Sequence, residues 1–327
     1  MTQQTTGFFP ALARMERQFP PLARTREPFW RPQIPAPARD ILVPAWNWRS
    51  IHECPEGARL LSLDANAAYI GAAGGVKVAH SHLTPTGGID LPAPRDVLPG
   101  YYRVTVPYWA FSATLVHPLG NSTRVETETD VWIAAPTLVL LLELLEEGAI
   151  AELTILDSWT AQAHTTFRAW VDHLKGIRRD LMDAQHQAHP DGDRPADCEC
   201  VPCTRLAEFK LGYSAAWSMM LTGERCKTRR PDWAHTVYAQ HAATMWRKAW
   251  RYTATGCPVI AMGHTDEITV MEADLPEVMA RPKPPFRIDA TGYAIGALKP
   301  KSVEVATAEH TAGPTALYDD TDTGDLI

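Results

Sequence analysis

Apolar residues at 259–262 run up to Gly263, a polar knot follows at His264, Thr265, Asp266 and Glu267, and alternation resumes with Ile268 and Val270. That pattern predicts a β-hairpin with Asp266 presented at its tip, either as a solvated turn or as a working carboxylate. About two hundred residues upstream, L-L-S-L-D at 60–64 predicts a buried strand ending in Asp64, followed by a turn that carries Tyr69. An acidic residue there is costly unless a cation or hydrogen bonds compensate it. Further strands are expected at 101–106, 130–134 and 151–156, around a helix over 137–147 whose leucines are core and which Gly148 stops. Helical periodicity continues at 166–184, with Phe167, Trp170, Leu174, Ile177 and Leu181 on one side, and at 204–223. A third helix over 231–253 packs Trp233, Tyr238, Trp246 and Trp250 and carries Arg247, Lys248 and Arg251 on its rim. The glycine-rich A-G-G and T-G-G stretches after Asp64 read as turns and lack the spacing of a phosphate loop.

The 327 residues are 45% hydrophobic with 11 tryptophans, enough for one sizeable core or two small ones. The longest leucine run is broken by Glu143, and no stretch reaches membrane length. The N-terminus shows no apolar signal core, so a cytoplasmic location is expected. The net charge of −7 is uneven: 168–251 holds 14 Lys or Arg against 10 Asp or Glu, whereas 304–327 holds six acidic residues and no Lys or Arg. A locally basic face beside an acidic tail is compatible with a phosphate-bearing partner. Cys198, Cys200 and Cys203, with His189 nearby and His186 and Cys226 flanking, are candidate ligands for a structural zinc, the alternative being reduced thiols in a surface loop.

Three segments, taken in order, resemble the sequence motifs of family B DNA polymerases, above all the compact protein-primed branch. D-A-N-A-A-Y-I at 64–70 resembles D-x-x-S-L-Y-P and keeps Asp64 and Tyr69. K-L-G-Y-S-A-A-W-S at 210–218 resembles K-x-x-x-N-S-x-Y-G, keeping Lys210 and placing Trp217 at the aromatic position. H-T-D-E at 264–267 resembles D-T-D-S, keeping Thr265 and Asp266 but with His264 at the first aspartate. The resemblance covers roughly residues 58–302.

It implies an α+β fold: a polymerase-like palm, in which a small antiparallel sheet is backed by helices, with a two-helix fingers insertion and a very short thumb. The implied organisation is a Pro/Arg-rich extension at 1–57, palm at 58–160 and 231–285, fingers at 161–230, a thumb-like segment at 286–305 and an acidic tail at 306–327. Asp64 and Asp266 would hold two magnesium or manganese ions, with the carbonyl of Ala65 as a further ligand. Tyr69 would stack under the sugar and exclude a 2′-hydroxyl, Lys210 with Arg178 or Arg179 would meet the triphosphate, and Trp217 would face the nucleotide. Lys299 or Lys301 would touch the primer end. The implied activity is nucleotidyl transfer by a minimal DNA polymerase acting on primer-template DNA and dNTP, with a terminal or priming protein as a further candidate partner. No exonuclease-like acidic set precedes Asp64, so proofreading is not expected. The alternatives are a catalytically degenerate protein that binds DNA ends or a replication partner, and a template-independent nucleotidyltransferase.

Overall fold

The computed structural model describes residues 34–307 except 53, 163, 191–194, 196–197 and 223–228. The architecture is mixed α+β, with antiparallel sheets and seven α-helices among the described residues. The first sheet runs β1(Trp46–Arg49), β9(Val259–His264), β10(Glu267–Met271), β2(Arg59–Ala65), β11(Leu298–Val305), in that spatial order and antiparallel throughout. The second runs β4(Thr84–Pro85), β7(Ile155–Thr160), β5(Gly100–Thr105), β6(Asp130–Ala134), and β3(Lys77–Ala79) pairs with β8(His164–Thr166). The helices are α1(Ala68–Gly75), α2(Thr123–Thr127), α3(Ala135–Glu146), α4(Arg168–Ala188), α5(Val201–Thr222), α6(Pro231–Thr253) and α7(Leu275–Met279).

β2 sits between β10 and β11, which explains its sequence. A strand flanked on both edges and covered on both faces carries nearly continuous apolar residues, here Leu60, Leu61 and Leu63. Its one polar interior residue, Ser62, is matched across the ladder by Thr269, with the hydroxyls 3.0 Å apart. α6 is the spine: it contributes Met245, Trp246 and Tyr252 to the large core around α3 and the first sheet, and Trp233 and Val237 to a second core with α1, α4 and α5. Trp246 and Trp250 stack at 5.5 Å, and Trp246 Nε1 donates to the carbonyl of Val116, so these tryptophans are core as their spacing suggests.

Several sequence expectations need correction. The strand expected at 151–156 begins four residues later, at Ile155, because α3 ends in a left-handed Gly148 (φ 73°). The amides of Ala149 and Ile150 then fold back onto the carbonyl of Leu144, and Ile150 and Leu153 are buried in that cap. A-G-G is no turn: it closes α1, whose Ala72 and Ala73 are buried in the second core. Tyr69 accordingly lies on a helix, not in the turn before it. Part of the extension at 1–57 belongs to the palm-like sheet, since Trp46–Arg49 forms an edge strand of the first sheet, and residues 1–33 lie outside the described residues. The segment read as thumb-like supplies the opposite edge, β11. Most of the acidic tail, 308–327, also lies outside the described residues. No helix among the described residues is long and apolar enough to cross a membrane.

Candidate active site

The β9–β10 turn brings together what the sequence separates by two hundred residues. β10 pairs with β2 so that Glu267 stands opposite Asp64, and the amide of Ala65 donates to the carbonyl of Asp266 at 2.9 Å. Asp64 and Glu267, on adjacent strands, and Asp266, in the β9–β10 turn, therefore lie together at one end of the sheet. β11 adds cations from the other side. Lys299 is the cross-strand partner of Asp64, its Nζ 3.1 Å from Oδ2, and Lys301 Nζ lies 2.5 Å from Glu267 Oε2. His264 occupies the last position of β9, opposite Trp46.

Beyond Ala65 the chain reverses from strand to helix through Ala67, the one non-glycine residue with positive φ (50°) among the described residues. A left-handed alanine costs about 1 kcal/mol, so its surroundings must over-determine the turn. They do so through Asn66, buried to 4% exposure, whose amide donates to the carbonyls of Gly292 and Ala294. Its Oδ1 accepts from Arg178 Nη2 at 2.9 Å, and Arg178 also donates to the carbonyls of Gly292 and Tyr293. Burial pushes the Arg178 guanidinium below its usual value. Arg178 is thus neither on a solvated helix face nor free to grip a ligand; it ties α4 to the turn that follows Asp64. Arg179 is exposed beside it, and Lys175, Arg178, Arg179 and Arg287 line one cavity of about 680 Å³.

Tyr69 lies in the first turn of α1, with Tyr238 and His241 edge-on at 5.0 and 5.5 Å. Burial raises its hydroxyl to about 12, against a hydrogen bond from Thr265 that lowers it. Tyr69 and Thr265 open into a cavity of about 810 Å³ whose other walls include Tyr238, Ser214, Ser218 and, from the N-terminal segment, Ile41. Lys210 lies one and two turns before those serines on α5 and is exposed. Trp217 is on the stripe of Lys210, as a seven-residue spacing requires, but there the stripe is sealed by Phe167 and Trp170, 5.5 and 5.2 Å away. With 0% exposure Trp217 is core and faces no nucleotide. Lys248, expected on the rim of α6, turns inward instead: its ammonium donates to the carbonyl of Gly296 at 2.7 Å, and burial lowers it to about 8.

The sequence reading missed Asn66 and His241 and put Lys248 on the rim instead of inside. A lone asparagine two residues after an acidic strand end, or a histidine seven residues before a lysine on a helix, carries no signal until the sheet and α6 are packed together.

No protein-family model and no curated protein matches the chain by sequence. Solved structures match it in fold. The fold is similar to that of Phi29 DNA polymerase. An orthorhombic crystal form of that enzyme aligns with TM-score 0.57 at 12% identity, over 90% of this chain and 52% of that one. Its complex with primer-template DNA, and its ternary complex with primer-template DNA and incoming nucleotide substrates, both align with TM-score 0.55 at 12% identity, over 92% of this chain and 52% and 53% of theirs. The chain spans about half the length of the Phi29 polymerase.

At the opposite end of the α4–α5 hairpin, His189, Cys198, Cys200 and Cys203 bring their ligand atoms within 4.8 Å of one another. Cys226 lies outside the described residues, and His186 is exposed on α4.

Proposed function

We propose that the chain is a template-directed DNA polymerase of the family B type, with the first sheet as palm and α4 and α5 as fingers. The observation that carries this reading is the convergence of Asp64 and Asp266 through the β2–β10 register, beside Thr265, which lines a cavity together with Tyr69 and Ser214. Similarity of fold to a polymerase is its second support.

Asp64, Asp266 and Glu267 offer the hard oxygen donors that magnesium takes. The positive charge that Lys299 and Lys301 already hold against two of them indicates a cluster whose negative charge needs neutralising. Asp64 and Asp266, with the Ala65 carbonyl, would hold the ions. When bound, such ions stabilise the charge on the attacking hydroxyl and on the departing pyrophosphate. Tyr69, held by Tyr238 and His241, forms a rigid floor for the sugar and excludes a 2′-hydroxyl. Lys210 and Arg179 would neutralise the triphosphate, and Lys299, next to Asp64, would meet the primer end.

Extension of a labelled primer on a template, with magnesium or manganese, tests this. Asp64→Ala or Asp266→Ala removes several kcal/mol of transition-state stabilisation and lowers incorporation about 10³-fold or more. Equal signals from wild type and both variants exclude the reading, and incorporation without template favours terminal transfer.

The lysines favour one second reading. If Lys299 and Lys301 stand permanently where metal ions would, with His264 in place of a further carboxylate, the chain is a polymerase-derived protein that binds primer-template DNA without extending it. Retained DNA binding together with absent incorporation in both metals identifies that case.

A further inference from the structure

We infer that His189, Cys198, Cys200 and Cys203 bind one structural zinc ion that staples the tip of the α4–α5 hairpin. His189 Nε2 lies 3.3 Å from Cys200 Sγ, 3.4 Å from Cys198 Sγ and 3.5 Å from Cys203 Sγ. One imidazole nitrogen has a single proton or a single lone pair, so hydrogen bonding gives no reason for three sulfurs to converge on it. A tetrahedral ion does: Zn–S of about 2.3 Å and Zn–N of about 2.0 Å place nitrogen and sulfur about 3.5 Å apart. Gln185 Nε2 donates to Cys203 Sγ at 3.3 Å, the kind of outer hydrogen bond that orients and stabilises a metal-bound thiolate.

The fold supplies the need. His189 is the C-cap of α4, and Cys203 lies in the first turn of α5, so the four ligands span the chain reversal. On α4 no residue after Arg178 is buried, and on α5 only Cys203 and Leu206 are buried before Gly212. Two helices over this length have almost no apolar seam of their own, and α4 carries Lys175 and Arg179 outward on the same hairpin. A metal cross-link replaces the missing core, as in small domains that fold only with zinc. Zinc and not magnesium is indicated, because thiolate and imidazole are soft and borderline donors.

The site is independent of the proposed polymerase chemistry, and its test is too. The full chain, purified from zinc-supplemented cells, is expected to carry about one zinc per chain, to keep it in Asp64→Ala, and to lose at least about tenfold of its zinc affinity in Cys200→Ser and Gln185→Ala. Cobalt loaded into the stripped wild type should give the bands of a tetrahedral sulfur-nitrogen centre. Hydrogen exchange over 186–206 should rise on stripping while β2 and β10 keep their protection. A wild type that holds no zinc and gives no such cobalt spectrum overturns the proposal, as does zinc retained unchanged in Cys200→Ser or a disulfide among the three cysteines. Unchanged exchange at the tip after stripping overturns the stapling role, and this measurement needs no variant to fold.

Discussion

Acid should unfold this protein through two histidines of α6. His235 and His241 are 7% and 3% exposed. Burial lowers both from 6.5 to about 4, against Asp232 for His235 and the Thr265 backbone for His241, while Lys248 pushes His241 further down. His235 Nδ1 hydrogen-bonds the Tyr101 hydroxyl at 2.8 Å, whereas His241 Nε2 is buried with no hydrogen-bond partner among the described residues. In both, the folded state binds protons more weakly than the unfolded chain. The stabilisation is therefore complete above about pH 6.5 and is lost as pH falls towards about 4. The gap is worth about 3 kcal/mol for each ring. Together that approaches the total stability of about 5–15 kcal/mol typical of a domain. The slope should approach two protons, roughly 2.7 kcal/mol per pH unit, at the steepest point. Urea unfolding at intervals between pH 4 and 8 measures it, and His235→Asn or His241→Leu should each halve the slope whatever it does to stability at neutral pH. His241 touches Tyr69 and the backbone of Thr265, so its protonation also disturbs the hairpin tip that carries Asp266. Equal pH slopes for wild type and both variants would refute the assignment.

Trp217→Ala should cost about 3–5 kcal/mol in urea unfolding, the price of emptying a packed aromatic core; a variant of wild-type stability with only a raised nucleotide KM would contradict its burial. Asn66→Ala should cost about 2–3 kcal/mol, because it removes one of the buried acceptors of Arg178 together with the amide that ties the carbonyls of Gly292 and Ala294 to the turn, and Arg178→Lys should not restore the loss, since one ammonium cannot replace the guanidinium fork. Lys248→Met should raise stability at pH 7 by about 1–3 kcal/mol. Because the lysine is lowered to about 8, wild-type stability rises with pH from there to 10.5, so thermal melts of the pair should converge across that window. Gly120→Ala should destabilise by at least about 1 kcal/mol, since φ is 98° and the new Cβ would lie 2.6 Å from the Ala45 carbonyl oxygen.

Hydropathy made the elements legible where one face is buried against a constant partner. α6 spans the residues its periodicity predicts, and β6, β9 and β10 follow their alternation. Where the end of one element is buried in another's cap, as at 149–154, apolar residues imitate a strand and the reading slips by four positions. The motif residues Asp64, Tyr69, Lys210, Thr265 and Asp266 were visible as types at spacings. Their contacts were not, because contact depends on which strands pair and in which register.

The sequence alone determined the alternation that builds the hairpin at 259–271, the acidic end of β2, the amphipathic helices and the cluster of three cysteines with a histidine. Each is a local pattern, set by the period of the backbone. Only the tertiary structure decided that Glu267 stands across from Asp64, that Lys299 faces the same carboxylate, that Arg178 is bound to Asn66 and lost to solvent, and that Trp217 is sealed in the core. Those outcomes depend on long-range strand pairing and on the closure of α4 and α5 over α6. Side chains of one type, at one spacing, become ligands or core according to what packs against them, and that is settled only when distant segments meet.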